Sequence, residues 1–506
     1  MKRFLVVVLL VAACSPQGDA QDQPIESMSP APGSSVVVES DGGEEIFVAG
    51  ERGSVGIGDR LYPELGNGGY DVQRYDFSLD VDQEWFVRAT AEINLVPSVD
   101  LAIFNLDLSG LDVDGVEVTG FKDVRFERIG RELIIELGST APAGVPIDVL
   151  VRYSGTPQSV PADAVPFRPG WQLGDDVGYL FSQPDGAQSL FPVNDHPQDR
   201  ADVELTVTAP AGMEVVSGGE VVSETGSTVV WEMADIAPYL IPLGIGDFTL
   251  VSDQVVDGVR YDVWVSDDLV EAPAIDVFEI QPEIVAFFEE RFGPYPFDRA
   301  GALIVDDQLG AALETQTIPT YTAVSMQWGE VVIAHELAHQ WFGDSIALEQ
   351  WDDIWLNEGL STFAHWIWLE ESRGTDRYDS EVESAYRSLS GLQLVANGIE
   401  PDEAADRVRD AFPPPDDPRP SDLFNRSVYE RGGLTFVALR DAVGDERVFD
   451  LLRAYTARYS GETITTGAFL ALVDEVLGDE SRRLVESWVL DVDIPAMPER
   501  GLDPPG

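Results

Sequence analysis

One stretch, residues 331–363, limits the architectures open to this chain more than any other: VVIAHELAHQWFGDSIALEQWDDIWLNEGLSTF. It holds His-Glu-x-x-His, as His335, Glu336 and His339, within an apolar run of Val331, Val332, Ile333, Ala334, Leu337 and Ala338. In a helix, residues four apart return to one face about 6 Å along the axis, so both imidazoles face the same way. A buried helix does not accept two histidines and a glutamate without partners for them. Two imidazoles at this spacing suit one zinc ion. Glu336 points about 100° round the helix, toward a metal-bound water rather than the metal. A second apolar run, residues 354–369, opens with Asn357-Glu358-Gly359, and Glu358 lies nineteen residues after His339. It is placed to give a third, oxygen ligand and leave one coordination position open. With only 4 His in 506 residues, the motif arises by chance in about a few per thousand such chains.

The charge balance excludes several classes of partner. There are 31 basic and 91 acidic residues, a formal net charge of −60. Nucleic acids and anionic lipid surfaces both require a basic face, so electrostatic docking on either is not expected. Such a balance keeps a chain soluble and suits a saline habitat. Hydrophobic residues make up 44% of the chain, enough for large cores, and the length allows about three domains.

The first residues read as a targeting segment. Lys2 and Arg3 precede a short apolar run that ends in Val11-Ala12-Ala13-Cys14. A basic start, a brief apolar stretch and small residues before the cut describe a secretory signal, too short to remain as a membrane span. The ending resembles a bacterial lipobox, which implies cleavage before Cys14 and lipidation of its thiol. Cys14 is the only Cys, so no intrachain disulfide forms. The expected division is a signal peptide over residues 1–13 and a disordered spacer, rich in Ser, Pro, Gly and acids, over 14–60. The protein is then anchored on the outer side of a bacterial cell membrane through lipid alone.

From residue 61 to 250 short alternating runs take over, such as Tyr75-Asp76-Phe77-Ser78-Leu79-Asp80-Val81 and Val203-Glu204-Leu205-Thr206-Val207. Period-two alternation with Gly- and Pro-rich turns predicts an antiparallel β domain. Within it, residues 183–197 are too polar and Pro-rich for a strand and read as a loop. Helical periodicity dominates from 251 to 498, with an N-cap candidate at Thr465 or Thr466, and residues 499–506 form a tail.

Four motifs stand out. One is His335-Glu336-x-x-His339 with Glu358. Another reads Ala311-Ala312-Leu313-Glu314-Thr315, a third is Tyr429-Glu430-Arg431-Gly432, and the last is Gln183 followed eight residues later by Phe191-Pro192. Together they resemble the aminopeptidase N-type zinc metallopeptidases, the gluzincin aminopeptidases that include leukotriene hydrolase, whose Gly-x-Met-Glu-Asn motif the second matches. The resemblance covers residues 61–495. It implies a multidomain α+β fold: an N-terminal antiparallel β saddle or sandwich followed by a thermolysin-like, mainly helical peptidase domain, without the large C-terminal helical domain of longer members.

The resemblance also implies one Zn2+ per chain held by His335, His339 and Glu358. Glu336 acts as general base, Tyr429 stabilises the tetrahedral oxyanion, and Gln183 and Glu314 bind the free α-amino group of a peptide substrate. Ala311, Ala312 and Leu313 hold the substrate backbone. The expected activity is removal of N-terminal residues from peptides. The alternatives are an endopeptidase or leukotriene-hydrolase-like hydrolase with an open cleft, or a non-catalytic surface-binding lipoprotein. This chain departs from the pattern at Leu313 for Met, Thr315 for Asn and Arg431 for Lys. Seven residues after Glu358, where the family often has Glu, it has His365, on the same helix face as Glu358 and expected beside the metal ligands rather than among them.

Overall fold

The computed structural model describes residues 51–174 and 176–505. The signal, the lipidation position Cys14 and most of the spacer lie outside them.

The β-rich part is built on a seven-stranded sheet. Its order is Glu220–Thr225, Thr228–Ile236, Ala201–Thr208, Tyr70–Val81, Val87–Pro97, Ile147–Gly155 and Asp112–Val118. The alternation seen in the sequence is the alternation of burial. Tyr75, Phe77, Leu79 and Val81 face the core, while Asp80 and its like-facing neighbours meet solvent. Opposite them, Ile93, Ala91 and Ala89 pair with Tyr75, Phe77 and Leu79, so both strands bury the same face. The sheet is antiparallel except at its centre, where Ala201–Thr208 runs parallel to Tyr70–Val81. A parallel pair needs a long crossover, and here the connection passes through the rest of the domain, including the loop that carries Gln183. Two four-stranded sheets complete this part.

A five-stranded mixed sheet leads into the helices, in the order Phe248–Val256, Val259–Ser266, Ala302–Val305, Thr320–Thr322 and Ala312–Leu313. The strand Phe248–Val256 crosses the junction expected at 250/251 and hairpins with Val259–Ser266, so it belongs with the later sheet. The short strand Ala312–Leu313 is the outermost, paired on one side with Thr320–Thr322.

Ten α-helices follow among the described residues: α1 (Gln281–Phe292), α2 (Glu330–His339), α3 (Trp355–Arg373), α4 (Thr375–Leu389), α5 (Leu392–Ala396), α6 (Pro401–Ala411), α7 (Gly432–Val443), α8 (Asp445–Tyr459), α9 (Thr466–Leu477) and α10 (Asp479–Val489). The amphipathic run before Gly293 is divided, with a 3-10 stretch over Ile275–Ile280 ahead of α1. Thr465 caps α9: its hydroxyl accepts the Ala468 N–H at 3.1 Å. The centre of this part is α3, buried along residues 355–369 and packed against α2, α4 and α7. Trp355 at its start is fully buried, as are Trp341, Trp351 and Trp488.

Candidate active site

Helix α2 ends at the His-Glu-x-x-His motif, and α3 starts beside it. The Nε2 atoms of His335 and His339 are 3.2 Å apart. Glu358 Oε2 lies 3.2 Å from the first and 3.4 Å from the second. A zinc ion held tetrahedrally by nitrogen and oxygen at about 2.0–2.1 Å places its ligand atoms about 3.3–3.4 Å from one another. The triangle observed here has those edges. Two imidazole nitrogens and a carboxylate oxygen are also the donor set of a catalytic zinc site. The residues fit the ion.

The outer contacts of the two imidazoles differ. His339 Nδ1 faces the Phe342 carbonyl at 3.1 Å, a bond that directs Nε2 into the triangle. His335 Nδ1 faces His365 Nδ1 at 3.2 Å. His365 thus stands beside a ligand and outside the ligand triangle. Burial draws the His335 ring below its ordinary range against the pull of Glu358. The His365 ring falls well below, through burial and then His335. Burial alone would raise Glu358, but His339 and His335 outweigh it and hold the carboxyl below its usual range.

Glu336, Glu314 and His339 form a second group, with one oxygen of each carboxyl and a ring nitrogen all within 4.8 Å of one another. Glu336 is buried, and burial pushes its carboxyl well above the ordinary value, with His339 opposing. Glu314 is 3% exposed and is also raised by burial. Gln183 Nε2 donates to Glu314 Oε1 at 2.7 Å, which leaves the amide oxygen of Gln183 and the second carboxylate oxygen as acceptors.

Tyr429 reaches the site from a π-helical turn, Ser427–Arg431, directly before α7. Such turns recur at functional sites because the extra residue redirects a side chain. The Tyr429 ring lies 5.9 Å from the His335 ring and nearly parallel to it, at 23°. Burial, followed by the carboxylates of Glu358, Glu314 and Glu336, raises its hydroxyl well above the usual range, so it stays a donor.

Two glycines explain how this turn is held. A Cβ on Gly359 would sit 2.7 Å from Gly432 Cα, and one on Gly432 would sit 2.8 Å from Gly359 Cα. Helices α3 and α7 therefore touch backbone to backbone at the residues that follow Glu358 and the π-turn. Arg431, standing for the family Lys, is buried. Its guanidinium donates to the carbonyls of Trp488 (2.7 Å), Asp491, Val492 (3.2 Å) and Asp493 (3.2 Å), clamping the turn to the end of α10. Charge is thus kept for a structural use at helix-terminal carbonyls.

Other positioning residues were not singled out by sequence. Gln340 accepts from the Thr317 N–H at 2.8 Å and donates to the Glu314 carbonyl at 3.2 Å, tying the end of α2 to the segment that follows the edge strand Ala312–Leu313. Its only sequence signal is its place directly after His339. Thr315 turns its hydroxyl to the Ile318 carbonyl (2.7 Å) and to Thr320 (3.0 Å), so it braces the turn. Leu313 is buried in a small core with Val177, Tyr179 and Phe181.

The loop of Gln183 is fixed by buried polar contacts. Asp185 is gripped by Arg131 at 3.0 Å, and Asp195 accepts the Gln188 N–H at 3.0 Å. Asp59 joins this loop to the helices. One of its oxygens is 3.1 Å from His196 Nε2 and accepts the Trp351 N–H at 2.7 Å, just ahead of α3. Its other oxygen accepts from Leu61 and Tyr62. The structure thus brings Gln183, Glu314, His335, Glu336, His339, Glu358 and Tyr429 into one site, with Ala312 and Leu313 on the edge strand beside it.

Comparison with known proteins agrees with this geometry. Residues 277–488 match the peptidase family M1 domain. Aminopeptidase M1-A of Oryza sativa is 26% identical over 326 residues, covering 60% of this chain and 36% of the relative. Aminopeptidase N of Lactococcus lactis is 26% identical over 335 residues, covering 63% and 38%. The chain thus spans a little over a third of the length of these curated relatives. Among solved structures, an M1 zinc metallopeptidase from Deinococcus radiodurans superimposes with a TM-score of 0.75 at 28% identity, covering 89% of this chain and 99% of that one. A mutant of it bound to Tyr-Ser-Ala substrate gives 0.76 at 29% identity, covering 88% and 100%. The fold is therefore that of the two-domain M1 peptidases. This chain carries a peptidase family M1 domain over residues 277–488 with a zinc cofactor, and it is similar to the aminopeptidase N-type zinc metallopeptidases.

Proposed function

We propose that this protein is a zinc-dependent aminopeptidase that removes N-terminal residues from peptides. One observation carries the reading: an acceptor pair for an ammonium group, Gln183 and Glu314, stands next to the ligand triangle. An oxygen of Glu314 lies within 4.8 Å of a His339 ring nitrogen. In a peptide, the α-amino nitrogen and the first carbonyl carbon are about 2.5 Å apart, two covalent bonds. A substrate whose amine sits on Glu314 therefore presents its first peptide bond, and no later one, to His335, His339 and Glu358. Peptide substrates are also in keeping with the Tyr-Ser-Ala complex of the Deinococcus relative.

The residues divide the chemistry as follows. Glu314 and Gln183 hold the ammonium with charge-assisted bonds. The outer edge of Ala312–Leu313 offers main-chain groups to the substrate backbone, with Ala311 preceding it. Zinc, when bound by His335, His339 and Glu358, supplies Lewis acidity, acidifying water and polarising the carbonyl. Glu336 takes the proton of the attacking water and passes it to the leaving amine. Tyr429 donates its O–H to the oxyanion of the tetrahedral intermediate.

A panel of aminoacyl fluorogenic substrates, run with and without a chelator, tests this reading. Cleavage that stops on chelation and returns with zinc is the expected result. No cleavage of any aminoacyl substrate by zinc-loaded protein contradicts it. The Val11-Ala12-Ala13-Cys14 ending supports a further proposal, that the enzyme works outside the cytoplasm on a lipid anchor. Fatty-acid labelling that is lost in Cys14→Ser is the expected outcome, and equal labelling or none in the wild type counts against it.

A further inference from the structure

The two histidines of the ligand triangle differ in what stands behind them. His339 has a carbonyl oxygen, that of Phe342, at 3.1 Å from Nδ1. His335 has another imidazole, with Nδ1 facing His365 Nδ1 at 3.2 Å. The Nε2 atoms of both ligands point into the triangle, 3.2 Å apart. An imidazole that gives its Nε2 lone pair to a metal carries its proton on Nδ1. His335 must then donate through Nδ1, and His365 must accept with the lone pair of its own Nδ1, its proton on Nε2. The Nδ1-to-Nδ1 contact is consistent only with this assignment when zinc is bound.

The surroundings hold both rings. His365 is 7% exposed and packs edge-on against Trp366. His335 is flanked by Tyr429 on one face and meets His339 edge-on, at 80°. The other acceptor facing both rings is the Ser361 carbonyl, one turn before His365 on α3. That carbonyl keeps a second lone pair, but among the described residues the hydrogen bond at His335 Nδ1 is the one to His365 Nδ1, at 3.2 Å.

We propose that His365 is the positioning residue of His335. Its Nδ1 fixes the tautomer and tilt of the ligand ring, and, being an uncharged acceptor, it leaves His335 a weaker electron donor to zinc than a carboxylate at this position would. Outer partners of metal-bound histidines raise ligand basicity, and carboxylates do so most strongly. The consequence is a zinc ion held more tightly than with no partner behind His335, and less tightly than with a carboxylate there. This rests on the zinc reading of the site.

The test is zinc affinity by chelator competition, on full-length wild type, His365→Glu and His365→Phe at one pH, with the melting temperature of each metal-free form. The glutamate variant is expected to bind zinc more tightly than wild type. The phenylalanine variant is expected to bind it about 10–100-fold more weakly, with metal-free melting temperatures unchanged. Rescue beyond wild type by Glu is a result that a mere packing role does not give. Equal affinities in all three, or weakening by both substitutions alike, overturn the proposal. If the phenylalanine variant fails to fold, the glutamate variant against wild type decides alone. A wild type that takes up no zinc overturns the zinc reading itself, and with it this inference.

Discussion

Helices α2 and α3 bring His335 to Glu358 across 23 residues of sequence, whereas Gln183 reaches Glu314 across 131. The first pairing follows from helix period and the direct packing of α2 on α3. The second depends on a loop held by Arg131, Asp195 and the His196–Asp59–Trp351 bridge. On the proposed function, hydrolysis and its restriction to chain ends are built separately. The zinc triangle is a local construction inside one core. The amine site is assembled across two parts of the fold, so it is the more open to being lost alone.

Breaking the chemistry should have the largest effect. Glu336→Gln removes the base and should lower kcat by about 10³-fold or more, with zinc content by elemental analysis unchanged. Tyr429→Phe removes the oxyanion donor and should cost about 10²–10³-fold in kcat, with KM little changed in steady-state assays. Breaking the amine site should cost less and alter selectivity. Glu314→Ala and Gln183→Ala each remove a charge-assisted bond and should lower kcat/KM by about 10–100-fold. They should do so for free-amine peptides while zinc stays in place. Asp59→Ala strikes the bridge rather than either site. It leaves the buried Trp351 N–H without its acceptor and should destabilise the fold by about 1–3 kcal/mol in denaturant titration. It should weaken kcat/KM by a few-fold at most in the folded protein. A fall in zinc content with Asp59→Ala would show that the two constructions are not separate.

The same contrast sets what could be read from the sequence. His335, Glu336, His339 and Glu358 were legible because a four-residue step and an apolar frame have one structural meaning. The β strands were legible for the same reason: Tyr75, Phe77 and Leu79 alternate with residues that meet solvent. Gln183 taken alone reads as a surface residue in a turn-rich loop, and only the resemblance across four motifs marked it. The structure buries it against Glu314, 131 positions further along the chain. The parallel pairing of Ala201–Thr208 with Tyr70–Val81, the roles of Gln340 and Arg431, and the glycine contact behind Glu358 left no periodic signal. Each is a tertiary contact between side chains or backbones that local pattern does not encode. The strand Phe248–Val256 straddles the junction expected at 250/251, because alternation does not tell which sheet a strand joins.

The central claim, that a zinc hydrolase site is made into an aminopeptidase by Gln183 and Glu314, comes down to one comparison. It is kcat/KM of the zinc-loaded enzyme for a short peptide with a free N-terminus and for the same peptide N-acetylated. The expected result is cleavage of the first peptide bond in the free form and no detectable cleavage of the acetylated one. Equal cleavage of both, or cleavage at an internal bond of the acetylated peptide, would contradict the account.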